Sequence, residues 1–192
     1  MRKLTKNQLA KVSKNLDHYF NIATDQQINE GLQWYKKAND FCIEQSKVFN
    51  VDSFTVASIV SALSPRNKWL TNLKDTVTVL NAVKNGLSPT DIKVSTFHTN
   101  KFKAFALALG TVKITNESRK TYSFVCNVGN LDEDRATVDV WHLRACFNQT
   151  IGALGQIAYD QLERLTISKA KKLGLKGFEY QAIIWASVQS NF

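Results

Sequence analysis

Apolar residues recur at helical spacing along almost the whole chain. Thr5 followed by Gln8 forms a capping-box pair, and Leu9, Val12, Leu16 and Phe20 behind it make one apolar stripe, which predicts a helix through about Tyr19. Thr24 and Gln27 repeat the signal and open a helix to about Phe49, carried by Ile28, Leu32, Tyr35, Phe41, Cys42 and Val48. Asp52 or Ser53 caps the next segment, FTVASIVSAL, which is apolar on nearly every side and predicts a central core helix. It stops near Ser64, because Pro65 disfavours helical geometry in the residue before it. Asn67 to Lys84 is amphipathic on Leu70, Leu73, Val77 and Leu80, with Gly86 beyond its end. Ser88-Pro89-Thr90-Asp91 supplies a cap, a first-turn proline and an acid for a short helix.

Thr99 starts a further helix with Phe102, Phe105, Ala106 and Leu109 inward and Gly110 as its stop. Asn116 or Ser118 caps the helix bearing Lys120, which Gly129 ends, and Asp139 opens one that runs to about Phe147. The tail predicts helices near 156–165, within 166–173 and over 178–190, the last with Gln181 and Trp185 one turn apart. Residues 112–115 and 137–138 have the composition of short extended pieces. The expected class is all-α, a bundle of ten or so helices. No repeat, low-complexity tract or Pro/Gly-rich linker divides residues 1–192, so a single globular domain is expected.

Composition adds little to this picture and charge adds more. A chain of 192 residues, 44% hydrophobic and 21% charged, suits one compact domain of one or two lobes and needs no disulfide. Cys42, Cys126 and Cys146 show no C-x-x-C spacing, which predicts buried thiols in a reducing compartment and no zinc or iron–sulfur framework. No metal or other cofactor is expected. No apolar run approaches the roughly 20 residues of a membrane span, and the first residues lack the apolar core of a signal peptide. A soluble, cytoplasmic protein is therefore expected, with no membrane partner. The net charge of +9 is concentrated: Arg66, Lys68, Lys74, Lys84, Lys93, Lys101, Lys103, Lys113, Arg119 and Lys120 stand against only Asp75, Asp91 and Glu117. Such a stretch points to a polyanionic partner, nucleic acid first.

Within KTYSFVCNVGNLDEDRATVDVWHLR, Lys120 and Asp139 lie 19 positions apart, each at a helix start. Tyr122, Val125 and Cys126, then Val138, Trp141 and Cys146, would anchor both helices in one core. Plain readings stand beside functional ones. Lys120 serves equally as a surface lysine for phosphate, and Asp139 as a cap for backbone N–H groups. Trp69, Trp141 and the pair Gln181 and Trp185 serve equally as packing. Asp132-Glu133-Asp134 reads as a solvated turn, and Lys169, Lys171 and Lys172 as a wet face or a phosphate contact.

Three segments resemble one family. SIVSALSPRNKWLTNLKDTV is similar to the apolar helix, break and following helix of helix-hairpin-helix DNA glycosylases of the endonuclease III type. SRKTYSFVCN resembles that family's helix start with its catalytic lysine, matched by Lys120, and TVDVWHLRACFN resembles the stretch with its catalytic aspartate, matched by Asp139. Arg144, five positions on, matches an arginine of the family. EYQAIIW resembles the last helix of small, mostly phage-encoded relatives, which would place such a protein in the host cytoplasm. The resemblance covers roughly residues 52–148. There are departures. The stretch Gly110 to Ser118, GTVKITNES, lacks the family's Gly-x-Gly turn, His142 falls three positions after the aspartate rather than two, and the carboxy-terminal cluster cysteines are absent.

The resemblance implies a two-lobed helical bundle of the helix-hairpin-helix glycosylase type with an altered hairpin and a cleft between the lobes. It implies base excision from double-stranded DNA, a DNA-repair type of hydrolase activity, with lyase activity through a Schiff base. In that reading Asp139 stabilises charge on the sugar, and Lys120, activated by burial and by Arg119, attacks it. Arg66, Asn67, Lys68 and Trp69, with Arg119 and Lys113, would contact DNA and fill the gap left by a flipped base. His142 and Arg144 would brace the Asp139 helix, and Gln181 and Trp185 would line the base pocket or the lobe interface. Two other readings fit the same residues: a non-catalytic DNA-binding protein on this scaffold, or a phage enzyme acting on modified bases or nucleotides.

Overall fold

Thr5 and Gln8 do close a reciprocal cap, the Gln8 N–H donating to Thr5 Oγ1 (3.2 Å) and the Thr5 N–H to Gln8 Oε1 (2.9 Å). Helix α1 (Lys6–Asn21) follows from it. The same exchange between Thr24 and Gln27 opens α2 (Asp25–Phe49). The computed structural model describes residues 3–129, 132–152 and 154–191. Among these, the chain continues through α3 (Ser53–Leu63), α4 (Trp69–Lys84), a 3-10 turn at Pro89–Asp91, α5 (His98–Ala108), α6 (Arg119–Gly129), α7 (Val140–Phe147), α8 (Gln156–Lys172) and α9 (Gly177–Gln189). The described residues contain no strand, so the protein is all-α. No helix among them is long and apolar enough to cross a membrane.

The chain forms two compact units, one from residues 1–37 and 131–192, the other from residues 38–130. Helix α2 begins in the first and ends in the second. In the first unit, Val12 and Leu16 of α1 meet Ala145 and Cys146 of α7, Leu162 of α8, and Tyr180, Ile184 and Val188 of α9 in one buried cluster. Full burial of each larger side chain is worth about 1.5–3 kcal/mol. Gly31 of α2 lies against α9 so closely that a Cβ there would sit 2.6–2.8 Å from Ile183 atoms.

In the second unit α3 is central, packing on α4, α5 and α6, and its residues Val56 to Leu63 are all buried. Cys42, Cys126 and Cys146 are buried, and none is joined in a disulfide among the described residues.

Four local expectations differ from the structure. The tail carries one helix, α8, where two were expected, because the Thr166 hydroxyl returns to Leu162 O (2.9 Å), one turn back, and stays helical. Residues 137–138 are irregular; the Val138 N–H is met by Tyr159 Oη (3.2 Å) rather than by a neighbouring strand. Residues 112–115 are likewise loop. Leu70, Phe102 and Leu109 point outward, 72%, 41% and 61% exposed: α4 turns inward a partly polar face that includes Asn72, Asp75 and Thr76, and α5 turns inward Lys101, Ala104, Phe105 and Leu107.

Candidate functional site

In the second unit, two of the basic words come together at one end of α3. Ser61 Oγ, in the last turn of α3, reaches Thr121 O in the first turn of α6 (3.5 Å). At the other end, a Cβ on Gly129 would lie 2.8 Å from Ala57 Cβ. Helix α6 therefore runs antiparallel to α3, and its opening residues Arg119 and Lys120 lie at the end where α3 gives way to Pro65-Arg66-Asn67-Lys68.

That 65–68 loop is held in an uncommon shape. Arg66 has φ +54°, a left-handed conformation that costs a non-glycine residue about 1 kcal/mol or more. Three contacts hold it. Thr96 Oγ1 donates to Pro65 O (2.9 Å), and the Arg66 guanidinium lies 5.6 Å from the Phe97 ring centre. Asp75 Oδ2 accepts from both Asn67 Nδ2 (2.8 Å) and the Ser95 N–H (2.9 Å). Asp75 is buried, so its charge serves this node rather than the surface. Lys101 is also buried, its Nζ donating to Ile92 O (2.8 Å). Burial thus leaves Asp91 and Glu117 as the exposed acids of 66–120, among many exposed cations.

Arg66, Lys68, Lys113 and Lys120 are exposed; Arg119, half-buried, donates from Nη1 to Asn116 O. Lys68 is the N-cap position of α4 and Trp69, half-buried, its first residue. Asn67 spends its amide on Asp75. The burial expected around a nucleophilic Lys120 is absent: its side chain is exposed.

Asp139 belongs to the first unit, delivered by a segment pinned side chain by side chain. Asp134 Oδ1 accepts from the Gly177 N–H at the start of α9 (2.6 Å). Arg135 joins Glu133 (2.8 Å) to buried Glu163 of α8 (3.4 Å), whose Oε1 also takes the Ala136 N–H (3.3 Å). Asp139, half-buried, is the N-cap of α7 and accepts the His142 N–H at Oδ1 (2.8 Å).

His142 is wholly enclosed, its Nε2 2.9 Å from Thr166 Oγ1. Because the Thr166 hydroxyl hydrogen goes to Leu162 O, the imidazole must donate from Nε2, leaving Nδ1 as a buried acceptor with no donor among the described residues. Burial lowers its pKa from 6.5 to about 4. Burial, with the Asp139 carboxylate adding to it, pushes the Cys146 thiol up, so the cysteine one turn further on is inert.

The Arg144 guanidinium stacks 4.3 Å from the Trp141 ring centre. On α9, buried Gln181 accepts the Tyr35 hydroxyl at Oε1 (2.8 Å), and Trp185 meets Trp34 edge to face with centroids 5.6 Å apart. Lys169 pairs with Asp17 (2.6 Å). Among the described residues, no three His, Cys, Asp or Glu side chains gather as a metal site needs.

A model described as "Family of unknown function (DUF7178)" matches residues 1–192. The chain belongs to that family. No curated protein and no solved structure matches it. In this DUF7178 chain, sequence reasoning missed Asp75, Glu163 and Thr166, the buried groups that hold the candidate residues in place. Each has at least one partner 20 or more positions away, Ser95 for Asp75, Ala136 for Glu163 and His142 for Thr166, and no local spacing announces those.

Proposed function

We propose that the chain binds DNA through the basic end of its second unit and acts there as a base-excision protein on a two-lobed helix-hairpin-helix glycosylase scaffold with an altered hairpin. The observation that supports DNA binding is the placement of two pairs of cations toward one end of α3, Arg66 and Lys68 on a loop fixed by Asp75, and Arg119 and Lys120 at the start of α6. Cations gathered toward one end of a helix neutralise phosphates and release counterions, which supplies most of the affinity for a duplex. The excision half of the reading is supported by the sequence resemblance around Lys120 and Asp139, and by Asp139 standing half-buried at a helix start.

In this chemistry the glycosidic C–N bond breaks and its electron pair leaves with the base. The sugar becomes cationic, and the Asp139 carboxylate stabilises it. The Lys120 amine then adds to C1′, and loss of its proton with ring opening gives a Schiff base. Borohydride reduces such an intermediate to a stable protein–DNA adduct. The test is trapping on duplexes carrying a panel of modified bases and on an abasic duplex. The expected adduct disappears in Lys120→Ala, and base release disappears in Asp139→Asn. An adduct that survives Lys120→Ala, or base release unaffected by Asp139→Asn, refutes the assigned roles.

A second reading, DNA binding without catalysis, is favoured by two observations: Lys120 is exposed, and Asp139 is engaged as a helix cap. It predicts salt-sensitive binding with no base release from any duplex of the panel.

A further inference from the structure

Beyond the basic end, the first unit contains a groove of opposite character. It lies between α2 and α9 and has a volume of about 370 Å³. Gly31, Ala182 and Ala186 form its small-residue wall, and Gly31 is fixed there because any side chain would strike Ile183. Trp34 and Trp185 line it with planes 77° apart and centroids at 5.6 Å, so two indoles form a corner. Tyr35, edge to face on Trp34 at 4.6 Å, stiffens that corner. Glu30, one turn before Trp34 on α2, is exposed and is the sole charged residue of the lining among the described residues, in a chain whose net charge is +9.

We infer that this groove binds an organic ammonium group. Indole faces attract a cation through the ring quadrupole, tryptophan most strongly, and a neighbouring carboxylate adds Coulomb attraction without demanding a directional hydrogen bond. A rounded, weakly hydrated ammonium head fits an aromatic corner that a phosphate would find repulsive. The inference does not rest on DNA binding by the basic end, none of whose residues takes part; it assigns Trp185, which the sequence resemblance would place at a base pocket or lobe interface, to this groove instead.

The experiment titrates choline, and separately its uncharged isostere 3,3-dimethylbutan-1-ol, into the full chain while following tryptophan fluorescence. Choline is expected to give a saturable change with a dissociation constant in the millimolar range, and the isostere none at the same concentrations. Glu30→Gln, a surface change verified as folded by circular dichroism, weakens choline about threefold. Trp185→Phe keeps an aromatic ring with a weaker quadrupole and weakens it further. Equal binding of the isostere, absence of saturation by choline, or a Glu30→Gln variant with unchanged affinity overturns the proposal.

Discussion

Acid should unfold the first unit through one buried ring. His142 is enclosed, donates from Nε2 to Thr166, and presents Nδ1 to an interior that offers it no donor among the described residues. A proton at Nδ1 would place an uncompensated charge there, which is why burial lowers its pKa from 6.5 to about 4. Between those values the unfolded chain binds the proton and the folded chain does not. Stability is therefore fully present above about pH 6.5 and falls as pH drops toward 4. At about 1.4 kcal/mol per tenfold change in proton affinity, the whole gap is worth roughly 3 kcal/mol. About 2.5 kcal/mol of it is lost between about pH 7 and about pH 4.5.

The assay is urea unfolding followed by tryptophan fluorescence at those two pH values, for wild type and His142→Gln. Trp34, Trp141 and Trp185 all report on the first unit. The glutamine carries an amide donor toward Thr166 and cannot titrate, so carboxylate effects common to both proteins cancel in the difference. Wild type should lose roughly 2–3 kcal/mol more than the variant over the interval. Parallel losses in the two proteins would refute the assignment of a neutral, Nε2-protonated His142.

Gly31→Ala should destabilise the first unit by about 1–3 kcal/mol, because the new methyl meets the Ile183 backbone as well as its side chain; thermal unfolding checks it, and an unchanged midpoint argues against the close helix crossing. Asp75→Ala removes the acceptor of both the Asn67 amide and the Ser95 N–H, at a cost of about 0.5–1.5 kcal/mol each, since half-buried Asn67 and exposed Ser95 can turn to water; a total loss under about 1 kcal/mol in urea unfolding would mean that the node contributes little. If the basic end holds DNA, Arg66→Gln and Lys120→Gln should each lower the slope of log affinity against log salt by about 0.9, measured by fluorescence anisotropy on a labelled duplex, and unchanged slopes remove those residues from the contact.

What could be read from the sequence was what depends on near neighbours. The Thr5–Gln8 and Thr24–Gln27 caps, the stop before Pro65 and the start at Asp139 are set within a turn of backbone, and all four stand in the structure. The errors share a cause, tertiary partners that override periodicity. Leu70 lies on what looks like an apolar stripe, yet α4 turns Asn72 and Asp75 inward because Val60 O, Asn67 and Ser95 meet them. Thr166 looks like a helix break and is instead an interior residue that bonds back to Leu162 and receives His142. The pinning of residues 133–138 by Glu163 and Tyr159 was equally hidden, because a carboxylate on a distant helix carries no local signature.

The first unit is threaded on both sides of the second, and this has a consequence for how the protein comes off the ribosome. The Leu4 N–H binds Gln161 Oε1 (2.8 Å) across 157 positions of chain. At about 5–20 residues per second, on the order of ten seconds separates the emergence of α1 from that of α8. For that interval Val12, Leu16 and Tyr19 have no partner to cover them, while the contiguous middle of the chain can already collapse. A nascent polypeptide of this design keeps a greasy first helix waiting until its own tail arrives to cover it.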